Sequence, residues 1–469
     1  MTIHEFIERN REAMIADVAE LINIPTVFSE DGGSNQPFGK EVDRGLRWIL
    51  QRAEDLGMKT RNFDGYAGEI TIGDGPFMIG VLAHEDVVPA GEGWDTDPFD
   101  SVVKEGKIYG RGSGDDKGPL ISSLYAMKYL MDEGRIPAGT SLRLIVGTNE
   151  EERWGGINYY TSHVERLPDY SIVPDGYFPL IFCEKGLVDF DINISLFDDK
   201  NADIRVAGLY GGSGRNVVAG KAGCVLQCHN ADPTEIAAEL NEFEGITAEC
   251  GDDEIIVMAQ GKSTHAMSPE KGLNAISLLM LGLSRIKCTL SIDDFVEKYN
   301  RYIGMDWNAE KFGCGFEDQL SGKTTFNIGV LRCEDRDVVL EANLRYPASM
   351  EKETVVGAIE MTCSRAGFFY KEKDFLPPVY TEPDSDFVVK LMEVYRKVTG
   401  DQEHEAFAIG GATYARAIPK AVAFGPLFPY EEELAHEANE FLAIDSLEKM
   451  TWIFAEGLEA LLGMGVNKR

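Results

Sequence analysis

FMIGVLAHED, residues 77–86, is the stretch on which the reading of this chain turns. Its apolar part, FMIGVLA, reads as a buried strand, and His84 and Asp86 follow at once. In open parallel sheets, ligand-binding groups collect just beyond the carboxyl ends of strands, so the placement of these two polar residues is informative.

Working outward, SLRLIVG (141–147) and SIV (171–173) read as further strands, with helices expected over 119–133 and 157–165. That alternation predicts an α/β domain with a mainly parallel sheet flanked by helices. Upstream, residues 2–22 place Phe6, Ile7, Met14, Ile15, Val18, Leu21 and Ile22 at helical spacing. After Gly186 the pattern becomes β-rich, as in LVDFDINISLF, with helices over 234–243 and 273–286. Helical periodicity resumes near Asp384 with FVVKLMEVYRKV, followed by the strand-like AVAFG (421–425) and an amphipathic helix over 446–462. The expected organisation is a discontinuous α/β domain, 1–186 with 381–469, interrupted by an inserted α+β domain at 187–380. A chain of 469 residues suits such a division, since one core rarely serves so many. Within the insertion, GRNVVAGKAGCVLQC (214–228) and DRDVVLEANLRYP (335–347) share an opening pattern and a following strand, the mark of a diverged duplication.

Composition narrows the function. With 44% hydrophobic and 26% charged residues the chain is an ordinary globular one, neither disordered nor fibrous. A net charge of −34 disfavours nucleic acid and anionic lipid, both of which need clustered Lys and Arg, and is accounted for by solubility. His4, Glu5, Glu8, Arg9, Arg11 and Asp17 interrupt the N-terminal stretch, so no signal-peptide block is present. No apolar run approaches the ~18 residues of a membrane span, and a cytoplasmic location is expected. The eight cysteines are scattered and expected to be reduced. Cys224, Cys228 and His229 lie close together, but in a strand-like stretch, and read as structural rather than metal-binding.

Four more motifs carry chemistry. GRGSGDDKGP (110–119) is a glycine-rich turn before a helix, with Asp115 and Asp116 where a phosphate's charge would otherwise sit. Paired acids at such a turn suit a cation. Glu150, Glu151 and Glu152 follow a strand in GTNEEERWGG, Asp175 follows another in SIVPDG, and His436 lies in ELAHEANE after AVAFG. Singly, each fits a solvated loop. Together they place two histidines and several carboxylates beyond separate strand ends of one sheet. Mixed imidazole and carboxylate donors suit zinc, manganese or cobalt better than calcium. Five ligands exceed one open zinc site, whereas two ions sharing a carboxylate account for all of them.

The combination of His-x-Asp, Gly-Arg-Gly-x-x-Asp-Asp-Lys-Gly, Glu-Glu, Pro-Asp and a late His resembles the dinuclear metallopeptidases that include aminoacylases, succinyl-diaminopimelate desuccinylases and carboxypeptidase G enzymes. EKG (184–186), GKSTHAMSPEKG (261–272), NLRYP (343–347) and GGATYAR (410–416) resemble its dipeptidase V branch, which includes carnosinase-like dipeptidases. The resemblance implies two divalent ions, Zn2+ foremost with Mn2+ or Co2+ as alternatives. His84, Asp115 and Asp175 would hold one ion and Asp115, Glu151 and His436 the other, with Asp86 orienting His84. Glu150 would be the general base. The insertion would act as a lid, with His265 on the oxyanion and Asn216, Arg345 and Gly411 binding substrate. The implied activity is hydrolysis of unblocked dipeptides by a monomer whose enlarged lid mimics a dimer interface. N-acyl amino acid deacylation, a noncatalytic metal-binding homologue and an acidic calcium buffer are the other readings. Two positions depart from the family pattern: Glu85 stands where an uncharged residue is usual, and Glu152 adds an acid after the pair.

Overall fold

The computed structural model describes residues 1–197, 199–251, 254–334 and 336–466. The chain divides into two compact units: Met1–Phe182 with Tyr380–Phe407 and Ala412–Arg469, and Cys183–Val379 with Ala408–Gly411. Ala408–Gly411, which periodicity places with the first domain, packs instead with the second. There the Lys185 N–H donates to the Ile409 carbonyl at 3.0 Å and the Arg345 guanidinium donates to the Gly410 carbonyl.

At the centre of the first unit's sheet lie Thr140–Gly147, Phe77–His84, Tyr170–Val173 and Ala421–Ala423, side by side and parallel. These are the apolar runs that carried the α/β expectation. The parallel arrangement stops at the flanks: Ala67–Gly73 and Lys59–Phe63 add antiparallel strands on one side, and Ile181 pairs antiparallel with Ala423 on the other. The first two of these form a hairpin because Asp64 and Gly65 adopt left-handed backbone, φ 53° and 80°, which matches strand twist at a tight turn.

Helix Ile444–Val466 packs on Lys117–Asp132, Asp386–Thr399 and Ile3–Ile22, and touches the central strands. On the sheet residues that alternate with those, Leu82, Ile145 and Val173 bury against Ile157, Tyr160 and Tyr414. Cover on both sides explains why the central strands are continuous apolar runs. Gly147 ends its strand opposite His84, and a Cβ there would lie 2.4 Å from the Tyr414 ring. Gly147→Ala is therefore expected to destabilise the fold by about 1–3 kcal/mol through overpacking. Urea denaturation measures this, and an unchanged midpoint would mean the ring can yield.

The second unit is built on an antiparallel eight-stranded sheet. In spatial order its strands are Ile246–Cys250, Glu254–Gln260, Lys221–Cys228, Ile204–Gly212, Thr325–Glu334, Asp337–Tyr346, Gly186–Ser195 and Phe369–Leu376. Helices Pro233–Asn241, Ala275–Leu283 and Lys352–Ala366 pack on it. Both repeat-like segments contribute the second strand of a hairpin followed by a helix and a strand; Asp335, at the start of one, lies outside the described residues. None of the eight cysteines is in a disulfide, and burial pushes the Cys224 thiol up to about 12, as suits an inert core residue. Among the described residues no helix is long and apolar enough to cross a membrane.

Candidate metal centre

Three of the candidate ligands, and the candidate base, sit where the backbone leaves the sheet. His84 is the last residue of its strand, Glu150 and Glu151 follow Gly147, and Asp175 lies just past Val173. Asp115 is presented by the glycine-rich turn, where Gly110 and Gly112 take φ of 150° and 86°, and His436 by a loop in which it takes φ 66°. The peptide bond between Asp115 and Asp116 is cis.

These side chains form two triads that share one carboxylate. His84, Asp115 and Asp175 offer donor atoms within 4.8 Å of one another, as do Asp115, Glu151 and His436. Asp115 turns Oδ1 toward His84 Nε2 at 3.1 Å and Oδ2 toward His436 Nε2 at 3.2 Å. Asp175 Oδ2 lies 3.9 Å from His84 Nε2, and Glu151 Oε2 3.0 Å from His436 Nε2.

The electrostatics report a concentration of negative charge. Burial and then the Asp115 charge push Asp175 up to about 7, and the same two causes raise Glu151. Burial also acts to raise Asp115, but hydrogen bonds from His436 and His84 outweigh it and hold that carboxyl well below its usual range. His436, bonded to Asp115 and Glu151, is raised to about 11. Half-buried acids that repel one another beside two imidazoles fit divalent cations with nitrogen and oxygen ligands.

A consequence can be measured. At neutral pH His436 carries a proton that a cation must displace, and Asp175, at about 7, is partly protonated. Cation binding is therefore expected to release protons, and affinity to fall with decreasing pH below about 11, where His436 gains its proton, and more steeply below about 7, where Asp175 gains one. Calorimetry in buffers of different ionisation enthalpy reads the release; affinity independent of pH would contradict this charge state.

Asp86 makes two sets of contacts. Its backbone carbonyl lies 2.9 Å from His84 Nδ1, while its carboxylate oxygen stands farther from that nitrogen, at 3.6 Å. The carboxylate instead accepts the N–H of Glu150 and that of Glu151, each at 3.1 Å. Glu150 belongs to neither triad, and burial followed by the Asp175 charge raises it well above the ordinary carboxyl range.

Glu440, which ends the ELAHEANE motif, is buried and was not legible as functional. Its Oε2 accepts from Arg111 Nη1 at 2.8 Å and the Gly112 N–H at 3.0 Å, and its Oε1 accepts the Gly114 N–H at 2.8 Å. Arg111 Nη2 in turn donates to the carbonyls of His436 and Ala90, each at 3.2 Å. One buried ion pair thus clasps the loops that present Asp115 and His436. The pairing of a carboxylate with an arginine spanning 329 positions leaves no local signal in the chain. Glu85 is fully buried, and that burial pushes its carboxyl well above the ordinary range against the pull of the Lys117 charge. Glu152 is exposed.

The remaining candidates lie in the second unit and neighbour one another there. Val217 bridges to His265, and the Asn216 carbonyl accepts the Ala266 N–H at 2.8 Å. The His265 Nδ1 accepts the Met267 N–H at 3.2 Å, and Met267 lines the space a Cβ would enter at Gly410 and Gly411. Arg345 is buried, with its Nε–H donating to Asn343 Oδ1 at 3.1 Å and another N–H donating to the Gly410 carbonyl.

Comparison with known proteins finds relatives over nearly the whole chain. The chain is 34% identical over 461 residues to "Putative dipeptidase YtjP" of Bacillus subtilis strain 168, covering 97% of this chain and 98% of that one. Its fold is similar to human carnosine dipeptidase 1 at a TM-score of 0.59 and 14% identity, covering 98% of each chain. It is also similar to the M20 family metallo-carboxypeptidase Sso-CP2 of Sulfolobus solfataricus, at 0.57 and 18%, covering 96% of this chain and 99% of that one. With residues 80–460 matching the model of peptidase family M20/M25/M40, the chain that folds these two triads belongs to that family of peptidases.

Proposed function

We propose that this peptidase is a dipeptidase that hydrolyses unblocked dipeptides with two divalent cations. The observation that carries the reading is the single Asp115 carboxylate offering one oxygen to each triad, with Glu150 close by and uncommitted to either. The name borne by the Bacillus subtilis relative, similar over nearly the whole chain, supports the dipeptide as substrate.

His84, Asp115 and Asp175 would hold one cation and Asp115, Glu151 and His436 the other. When bound, the cations polarise the scissile carbonyl and make the attacking water more acidic. Glu150 accepts the proton that water gives up and delivers it to the departing amine. Asp86, through the amides of Glu150 and Glu151, keeps base and ligand in fixed relation. We assign Arg345, Asn216 and Gly411 to recognition of the substrate carboxylate and backbone, and His265 to the oxyanion. Cytoplasmic location and a monomeric state belong to the same reading.

The test is a metal-by-substrate panel. Apo-protein reconstituted with zinc, manganese or cobalt should turn over free dipeptides in preference to their N-acylated counterparts. Turnover of the acylated set alone would replace the dipeptidase reading with a deacylase.

A further inference from the structure

The turn that carries Glu150 closes on itself. The Trp154 N–H donates to the Asn149 carbonyl at 2.9 Å, and the Gly155 N–H donates to Asn149 Oδ1 at 3.0 Å. Trp154 closes this loop in left-handed backbone, φ 57°, a conformation uncommon for a bulky residue and kept only where its surroundings enforce it. The result is that the indole folds back along its own turn, and Nε1–H donates to Glu150 Oε1 at 3.1 Å. Tyr414 meets the indole edge-on, with ring centroids 5.6 Å apart at 70°. Glu150 is thereby gripped twice, at its amide by Asp86 and at one carboxylate oxygen by the indole. No hydrogen bond is made to Oε2 among the described residues.

We propose that Trp154 is a positioning residue: its indole N–H fixes the rotation of the Glu150 carboxylate so that Oε2 is the oxygen offered to the proton of the attacking water. The inference rests on Glu150 being the general base. A glutamate carboxyl otherwise rotates broadly about its last bond. A base held off its productive orientation loses much of its effect, since a small misplacement in a catalytic arrangement costs up to about 100-fold in rate. The left-handed backbone at residue 154 acquires a purpose on this account, because it accompanies the return of the indole to Oε1.

The decisive substitution replaces Trp154 with benzothienylalanine, which keeps the bicyclic shape and lacks the N–H; Trp154→Phe is its genetically simple companion. Turnover, bound-ion content, ion affinity and thermal midpoint are measured on the holoenzyme, in the wild-type and Glu150→Gln backgrounds. The expected result is a fall in kcat of about 10–100-fold with KM, ion content and midpoint unchanged. The residual turnover of Glu150→Gln should show no further loss on the same replacement. Unchanged kcat in the benzothienyl protein would overturn the proposal, leaving the ring as packing only. An equal loss in the Glu150→Gln background would also overturn it, because the indole would then act through another group. Wild-type turnover in Glu150→Gln alone would instead remove the general-base reading on which the proposal stands, so the two failures are distinct.

Discussion

Glu150→Gln is expected to retain both cations and to lose turnover by roughly 10²–10⁴-fold, the range a positioned general base contributes. The substitution is close to isosteric, and Glu150 supplies no atom to either triad. Its backbone N–H would still reach Asp86, and the amide oxygen of glutamine would still accept from the Trp154 indole. What glutamine cannot do is take a proton from water and hand it to an amine. Ion content by elemental analysis alongside kcat separates these properties. A variant with wild-type turnover would sink the mechanism, and one that lost its ions would show Glu150 to be a ligand.

Asp115→Asn should fail in the opposite way, losing the cations themselves. One oxygen of Asp115 faces His84 and the other faces His436, so an amide nitrogen in either place removes a donor atom and turns N–H groups toward the cation. Groups that merely orient ligands contribute about 10–100-fold in metal affinity, so the loss of a shared ligand should exceed about 100-fold for both ions. The same variant has a signature without metal. Asp115 is the foremost cause of the elevation of His436 to about 11, and its loss should bring that imidazole down toward the ordinary histidine range. An NMR titration of apo-protein reads the shift. A variant that held one ion tightly while losing the other would mean that the carboxylate is not shared.

Much of this was written in the chain as local pattern. Strands such as Phe77–His84 and Thr140–Gly147 announce themselves because they are buried on both faces and need no polar alternation. His84, Glu151 and Asp175 were visible because each stands just after such a run, and Asp115 because it belongs to a glycine-rich turn with paired acids. The strand Lys59–Phe63 escaped notice for the converse reason: it is largely exposed and polar, and the Asp64-Gly65 turn is its clearest mark. The helix expected over 273–286 is shorter in the structure, Ala275–Leu283, because the Asn274 side chain caps it by accepting the Ile276 N–H at 3.0 Å. What no window of sequence could supply were pairings made in three dimensions. Arg111 with Glu440 is one, and the Asp86 carboxylate turning from His84 to the amides of Glu150 and Glu151 is another.

The clasp of Glu440 on Arg111 also has a meaning for the order in which this molecule is made. His436 stands 285 positions after its partner Glu151, and Glu440 lies beyond it. At about 5–20 residues per second, a ribosome needs roughly 15–60 s to travel that span. Throughout that interval His84, Asp115 and Asp175 have been made but His436 has not, and neither has the Glu440 carboxylate that binds the Asp115 loop. The second triad can therefore assemble only after residues 436–440 have been made and have reached the Asp115 loop.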